Sequence, residues 1–172
     1  MADITRIFDF VYHQQKNHKL QDALVTKVNG EWIKTSTDDY INKANAISRA
    51  LLKMGVQKDD KIAVITSSNR TEWHILDVGI TQIGAQNVPI YPTISEDDYE
   101  YILNHSGAIY CFVSDQEILN KVNAIKSKVP NIKEVYSFEE IQNCKNWTEL
   151  LTIGADDSNQ NEVENRKTSI ST

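Results

Sequence analysis

Short apolar runs alternate with stretches of helical periodicity along most of this sequence, and this alternation constrains the fold more than any other feature. Residues 61–66 form an almost continuously apolar run, which is typical of a strand covered on both faces. Further strands are predicted at residues 87–90, 108–113 and 132–136. Strands that alternate with helices predict right-handed crossovers between parallel strands. We therefore predict an α/β fold, with a mostly parallel sheet and flanking helices.

Cap residues mark the boundaries of the predicted helices. Ser36 lies three residues before Asp39, which is the spacing of a helix N-cap whose side chain accepts a backbone hydrogen bond. Gly55 follows the last apolar position of this helix and predicts a left-handed stop. Equivalent signals predict helices that begin at Asn69, Ser95 and Ser114.

Other elements are expected at the margins of the sheet. The Asn-Gly pair at 29–30 lies between β-favouring runs and predicts a short N-terminal hairpin, because both central positions of a type I′ turn need positive φ. Residues 2–20 mix apolar and polar positions and predict a short docking helix. Pro89 lacks an amide donor, so its strand is predicted at an edge or at a break in pairing.

The chain of 172 residues has the length of one domain. We assign residues 1–154 to the α/β unit, and we expect residues 155–172 to form a flexible linker or tail. That last segment has no aromatic residue, and its only large aliphatic residues are Val163 and Ile170. Such a composition buries too little apolar surface to offset the entropy of ordering the chain.

Charge and hydropathy exclude several classes of protein. The net charge is −6 and the basic residues are scattered, which argues against a nucleic-acid-binding protein. No apolar run reaches the length of a membrane-spanning helix, and the N-terminus does not resemble a signal peptide. Cys111 and Cys144 form no paired motif, which fits a reducing compartment. We expect a cytoplasmic protein and leave open a peripheral contact with a membrane.

The sequence contains no complete catalytic or metal-binding motif. Its four histidines and two cysteines lack metal-ligand spacing, and no glycine-rich phosphate loop is present. Acidic pairs at 38–39 and 97–98 fall in the first turns of predicted helices, where carboxylates favour the positive end of the dipole. The polar turn at 66–69 has residues that bind an anion at a helix N-terminus, although an ordinary cap requires the same residues. We therefore assign no catalytic residue and no metal ligand.

Seven short motifs nevertheless occur in an order that resembles a known family. They are LLKMGV at 51–56, KDDKIAVI at 58–65, NRTEW at 69–73, IGA at 83–85, VPIYPT at 88–93, YILNHSG at 101–107 and FVSD at 112–115. Together they resemble the N-terminal part of the AMP-forming acyl-CoA synthetases, within the adenylate-forming superfamily. The combination of NRTEW with VPIYPT is most similar to the long-chain fatty acid–CoA ligases. The resemblance covers roughly residues 5–153.

The resemblance implies a two-step reaction in a longer enzyme. A fatty acid carboxylate attacks ATP to give an acyl-adenylate and pyrophosphate, and the thiol of CoA then displaces AMP. In the family, the phosphate loop ending in Pro-Lys-Gly, the adenine motifs and the catalytic lysine lie in later parts of the enzyme, and none has a match here. The chain is therefore expected to be a fragment that is inactive alone. ATP, Mg²⁺, CoA and fatty acid would be bound by the full enzyme, in which the remaining ligase subdomains are the partners of this unit.

The same resemblance singles out the turn formed by Tyr91, Pro92 and Thr93. In relatives this turn borders the site where the nucleotide end of CoA docks, so these residues are expected at the edge of the CoA channel. Pro89 and Pro92 fix φ and stiffen the turn. The alternative interpretation is that the two prolines simply end a strand.

Two other functions remain open at this point. The chain could be a stand-alone binding or dimerisation module, with residues 1–20 as a docking arm and a homodimer as the product. It could also belong to a ligase for an aryl, short-chain or amino acid. An apolar face that is covered in a larger enzyme would be exposed here, which predicts self-association.

Overall fold

A computed structural model of the chain describes residues 4–28 and 30–170 and has the predicted α/β architecture. The strands are β1 (Leu24–Val28), β2 (Glu31–Thr35), β3 (Lys61–Ile65), β4 (Gln86–Ile90), β5 (Tyr110–Val113), β6 (Glu134–Ser137) and β7 (Lys145–Asn146). The helices are α1 (Asp9–Asn17), α2 (Thr37–Lys53), α3 (Thr71–Thr81), α4 (Glu96–Ser106), α5 (Gln116–Ala124), α6 (Thr148–Ile153) and α7 (Gln160–Ser169), with one 3-10 turn at Lys126–Lys128.

Five strands form one sheet in the order β4-β3-β5-β6-β7, and all four pairings are parallel. Ile65 at the end of β3 lies opposite Ile90 of β4 and Val113 of β5, so the carboxyl ends of these three strands are level. The remaining strands, β1 and β2, form a separate antiparallel hairpin, as predicted.

Alternate side chains of the strands enter two apolar layers. The first layer packs α2, α3 and α6 against one face of the sheet, and its strand residues include Ile62, Val64 and Phe112. The second layer packs α4 and α5 against the other face, around Ala63 and Ile65 among others. Because both faces are covered, residues 62–65 are apolar without interruption.

The direction in which the chain crosses the sheet reverses at β4, the strand at the edge. The chain leaves β3 through α3 in the first layer to reach β4, and then returns past β3 through α4 in the second layer to reach β5. From β5 it continues in that same direction through α5 to β6. The adjacent strands β3 and β5 therefore send their connections to opposite faces, which leaves a crevice between their carboxyl ends. Open α/β sheets bind ligands at such crevices.

Strand β4 lies at one edge of the sheet in the described part of the chain, as Pro89 predicted. The amide of Gln86 donates to the carbonyl of Asp60 at 2.8 Å, toward the β3 side. Alternation along the strand then directs Pro89 away from β3, to the side where no ladder donor is needed.

The N-terminus of α3 differs from its prediction. The sequence assigns the cap to Asn69, whereas the structure places Arg70 at the cap position with no side-chain cap bond. Instead, the hydroxyl of Thr26 in β1 accepts a hydrogen bond from the amide of Thr71 at 3.1 Å. The docked hairpin thus supplies the acceptor that a local cap would have supplied. Gly30 has φ +87, as its turn position requires, and Asn29 lies outside the described residues.

The segment predicted to be a flexible tail, residues 155–172, contains α7 in its described part. Val163 is fully buried in the first layer. Arg49 of α2, only 8% exposed, donates to the carbonyl of Gly154 at 2.8 Å, just before this segment, and to the side chain of Gln160 within it at 2.5 Å. Arg166 donates to the carbonyl of Val56 at 3.3 Å. The prediction missed this helix because arginine contacts, rather than a broad apolar face, hold the segment in place.

Candidate functional site

The turns that follow the parallel strands meet at one edge of the sheet, which we call the carboxyl edge. It consists of residues 66–70 after β3, 91–95 after β4, 114–115 after β5 and 138–139 after β6. The crevice between β3 and β5 lies at its centre. This edge also contains the turn that the sequence assigned to a CoA channel.

A network of two serines and one aspartate links the turns after β3 and β5. Ser114 is fully buried, and its Oγ accepts a hydrogen bond from the amide of Ser67 at 3.0 Å. The hydroxyls of Ser114 and Ser67 reach the same oxygen, Oδ2 of Asp115, at 2.7 and 2.8 Å. These bonds occupy the crevice with protein groups and hold the two turns together.

Asp115 is also the N-cap of α5, one residue later than the predicted cap Ser114. Its Oδ1 accepts a hydrogen bond from the amide of Ile118 at 3.1 Å. Burial would raise the pKa of this carboxyl, but hydrogen bonds from Ser114, from the amide of Ile118 and from Ser67 outweigh it and lower the pKa below its ordinary value. Asp115 is therefore anionic at neutral pH and satisfied by its neighbours, so it serves as a structural acceptor rather than a general base.

Arg70 lies beside this network and is mostly buried. Its side chain is 15% exposed and pairs with Glu72 at 3.1 Å and with Glu139 at 3.3 Å. Burial would lower the pKa of the guanidinium, but Glu72 and then Glu139 outweigh it and raise the pKa. Two carboxylates thus compensate this charge, which disfavours a role for Arg70 in binding an anion.

The turn at Tyr91, Pro92 and Thr93 continues β4 beyond Ile90, so it lies next to the turn after β3. The side chain of Tyr91 is 79% exposed. The carbonyl of Pro92 accepts hydrogen bonds from the hydroxyl of Tyr99 at 2.9 Å and from Nζ of Lys121 at 3.2 Å. The backbone of the turn is therefore anchored, while its aromatic side chain projects outward.

Sequence reasoning did not identify Tyr99 or Lys121 as residues that hold this turn. Tyr99 falls on the apolar stripe of a predicted helix and looks like an ordinary core residue. Lys121 falls on the polar side of the following helix. Their common target, the carbonyl of Pro92, is a backbone group, and a single sequence carries no signal for such a contact.

Two clefts open at the carboxyl edge. The larger, of about 480 Å³, separates the hairpin from the turn after β3, and the smaller has about 130 Å³. The larger is lined by Val25, Thr26, Lys27, Val28, Trp32, Ser68, Asn69, Arg70 and Glu139. The smaller is lined by Thr66, Asn69, Arg70, Trp73 and His74. These side chains can bind and orient a ligand through apolar contact and hydrogen bonds.

Among residues 4–28 and 30–170, no group of three His, Cys, Asp or Glu side chains is placed to hold a metal ion. Within the same residues, no helix has both the length and the apolar composition needed to cross a membrane.

Comparison with known sequences identifies relatives. The family model described as "AMP-binding enzyme" matches residues 11–170. The long-chain-fatty-acid–CoA ligase FadD15 of Mycobacterium bovis is 33% identical over 108 residues, which cover 63% of this chain and 18% of that ligase. The long-chain-fatty-acid–CoA ligase ACSBG2 of Xenopus laevis is 26% identical over 139 residues, which cover 78% of this chain and 19% of that ligase. The chain thus spans about a fifth of the length of these relatives.

Solved structures share the fold. The anthranilate CoA ligase AuaEII in complex with anthranoyl-AMP superposes with a TM-score of 0.69 at 21% identity, covering 84% of this chain and 26% of that one. The putative long-chain-fatty-acid CoA ligase from Rhodopseudomonas palustris gives a TM-score of 0.72 at 18% identity, covering 85% of this chain and 36% of that one. At these identities the similarity establishes the fold alone.

Asp115→Ala tests the network at the crevice. The substitution removes the cap of α5 and the common acceptor of both serines, so we expect a loss of about 1–2 kcal/mol in the free energy of unfolding at pH 7. Because the pKa of Asp115 is lowered by folding, its contribution is complete above the unfolded pKa and disappears as the pH falls through the folded pKa. Urea unfolding at pH 7 and at pH 3 should therefore show a smaller difference from wild type at pH 3.

Asp97→Ala is the matched control, because Asp97 is an exposed carboxylate in the first turn of α4. We expect it to change the free energy of unfolding by less than about 0.5 kcal/mol. An equal loss at both pH values for Asp115→Ala would contradict the assigned role of the carboxylate.

Proposed function

The chain belongs to the AMP-binding enzyme family, and from this membership we propose that it is the N-terminal α/β portion of a long-chain fatty acid–CoA ligase. The observation that carries the proposal is the family match over residues 11–170, together with curated relatives that are long-chain ligases. The parent enzyme would convert ATP, a fatty acid and CoA to acyl-CoA, AMP and pyrophosphate. As an acid–thiol ligase, it would act through an acyl-adenylate.

The two steps of this reaction require groups that the described residues do not supply. In the first step a carboxylate oxygen attacks the α-phosphorus of ATP and pyrophosphate leaves. In the second the sulfur of CoA attacks the acyl carbonyl carbon, and the bond to AMP breaks. Mg²⁺ would neutralise phosphate charge, but the described residues contain no carboxylate cluster that fits it. We therefore assign the contacts to Mg²⁺ and to the ATP phosphates to other parts of the parent ligase.

For this chain we propose a scaffolding role at the edge of the CoA channel, formed by Tyr91, Pro92 and Thr93. Three features support this role. The turn lies on the carboxyl edge, beside the reversal in strand order where α/β sheets bind ligands. Its backbone is anchored through the carbonyl of Pro92, and the exposed ring of Tyr91 is available for contact with a ligand.

The choice of a long-chain fatty acid rests on the named relatives. The fold is shared equally with an anthranilate CoA ligase, so it does not distinguish an alkyl from an aryl acid. An adenylate-forming ligase for another carboxylic acid therefore stays the alternative substrate assignment. Comparing fatty acids with benzoates in an acyl-CoA assay of the parent ligase would separate the two.

We further place the parent ligase in the cytoplasm; whether it also contacts a membrane peripherally stays open. The two unpaired cysteines, Cys111 and Cys144, support a reducing compartment. Fractionation that recovers the protein from an oxidising compartment would contradict this location.

We also propose that the isolated chain self-associates through the hairpin, as a homodimer. Trp32 is 65% exposed, and Val25, Val28 and Ile33 are also exposed on this two-stranded element. Size-exclusion chromatography with light scattering should show a mass that rises with concentration, and Trp32→Lys should reduce it. Tyr101→Lys, which alters an exposed aromatic residue on α4, should leave the association unchanged. A wild-type chain that stays monomeric at every concentration would refute the proposal.

The activity of the chain tests the proposed function directly. Because the catalytic motifs of the family have no match in this sequence, the 172-residue chain incubated with ATP, palmitate and CoA should form no acyl-CoA. It should also catalyse no ATP–pyrophosphate exchange.

The reading frame after codon 172 should encode a Ser/Thr/Gly-rich loop ending in Pro-Lys-Gly, and the longer polypeptide should catalyse both reactions.

Two results would overturn this assignment. Acyl-CoA formation by the chain alone would show that its catalytic groups lie within these residues. A reading frame that lacks the loop would favour the stand-alone binding or dimerisation module.

A further inference from the structure

We propose that Tyr99 is a positioning residue for CoA, because its buried hydroxyl fixes the carbonyl of Pro92 and so presets the turn at residues 91–93. This inference rests on the proposed function, in which that turn borders the CoA channel. It goes further by assigning control of the turn to a residue that no ligand can reach.

The geometry around Tyr99 makes its hydroxyl specific for this carbonyl. Tyr99 has no exposed surface, and its ring packs in the second apolar layer. Its amide donates to the carbonyl of Ser95 at 3.1 Å, and Ser95 and Asp98 form a complete capping box at the start of α4. A rigid first helical turn therefore aims the hydroxyl back along the chain to Pro92, at 2.9 Å.

Lys121 supplies a second donor to the same carbonyl from α5. Its Nζ lies 3.2 Å from the oxygen of Pro92 and 3.4 Å from a carboxylate oxygen of Glu117. One backbone oxygen thus connects the turn to both helices of the second layer. Lys121 is partly exposed and could also contact an anionic ligand directly, whereas Tyr99 can act only through the turn.

The hydroxyl of Tyr99 stays protonated and can therefore donate its hydrogen bond at all neutral pH values. Burial, followed by the nearby Cys111, Asp115 and Glu117, raises the pKa of Tyr99 to about 12. Its proton is therefore retained across the neutral range, so the bond to Pro92 does not depend on pH there.

A turn held in one conformation lowers the cost of binding, because the free protein has less conformational freedom to lose. Pro89 and Pro92 fix two φ angles, and the bonds from Tyr99 and Lys121 fix the carbonyl between Pro92 and Thr93. Removing one of these hydrogen bonds should lower the affinity for CoA. The adenylation step, which uses ATP and fatty acid, should be unaffected.

The test is Tyr99→Phe in the parent ligase, with Tyr110→Phe as the matched control. Tyr110 is also buried, but it lies at the first position of β5, at the opposite end of the sheet from the turn. We expect Tyr99→Phe to raise the KM for CoA by about fivefold, the factor expected for one ordinary hydrogen bond. The rate of ATP–pyrophosphate exchange should stay within about twofold of the wild-type rate. Tyr110→Phe should change neither reaction.

The outcomes separate this inference from the proposed function. If wild-type ligase forms no acyl-CoA, the proposed function fails and hydrogen exchange in the 172-residue chain decides whether Tyr99 holds the turn. The amides of Tyr91 and Thr93 should then exchange faster in Tyr99→Phe than in Tyr110→Phe. An unchanged KM for CoA in an active ligase would overturn the inference. So would an equal loss in both half-reactions, or unchanged exchange at the turn.

Discussion

Burial of β3 on both faces is the constraint on which the rest of this structure depends. A strand without a solvent face can be reached only by crossovers that pack helices above and below it, and the chain uses both faces in succession. The connections that leave β3 and β5 therefore lie on opposite faces of the sheet. The crevice at the carboxyl edge is therefore a consequence of the strand topology and does not depend on which side chains lie at that edge.

The side chains at this edge then make it rigid. Ser67, Ser114 and Asp115 join the turns after β3 and β5, and the carbonyl of Pro92 joins the turn after β4 to α4 and α5. Asp115 accepts hydrogen bonds from three neighbouring groups, and Lys121 pairs with Glu117. Such an edge can orient a ligand, which is the role proposed for it at the CoA channel of the parent ligase.

Local signals in the sequence predicted the architecture because most strands and helices form where their own residues favour them. Each successful signal concerns the backbone close to the residue itself. Examples are the apolar run of β3, the helix caps at Ser36 and Ser95, and Pro89 in an edge strand. The errors involve contacts between distant segments. Thr26 caps a helix that begins 45 residues later, and Arg49 anchors a carbonyl 105 residues away. For the proposed site, resemblance singled out the turn at residues 91–93, whereas the donors that hold its backbone, Tyr99 and Lys121, are visible only in three dimensions.

The central claim is that the carboxyl edge faces CoA in a long-chain acyl-CoA ligase. Replacing Tyr91 by a photoreactive phenylalanine analogue in the parent enzyme, and then illuminating it with CoA, tests this claim most directly. The same analogue at Tyr101, an exposed tyrosine on α4, is the reference. The account predicts a CoA adduct at position 91, identified by mass spectrometry, and none at position 101. Equal labelling at both positions, or labelling only at position 101, would contradict it.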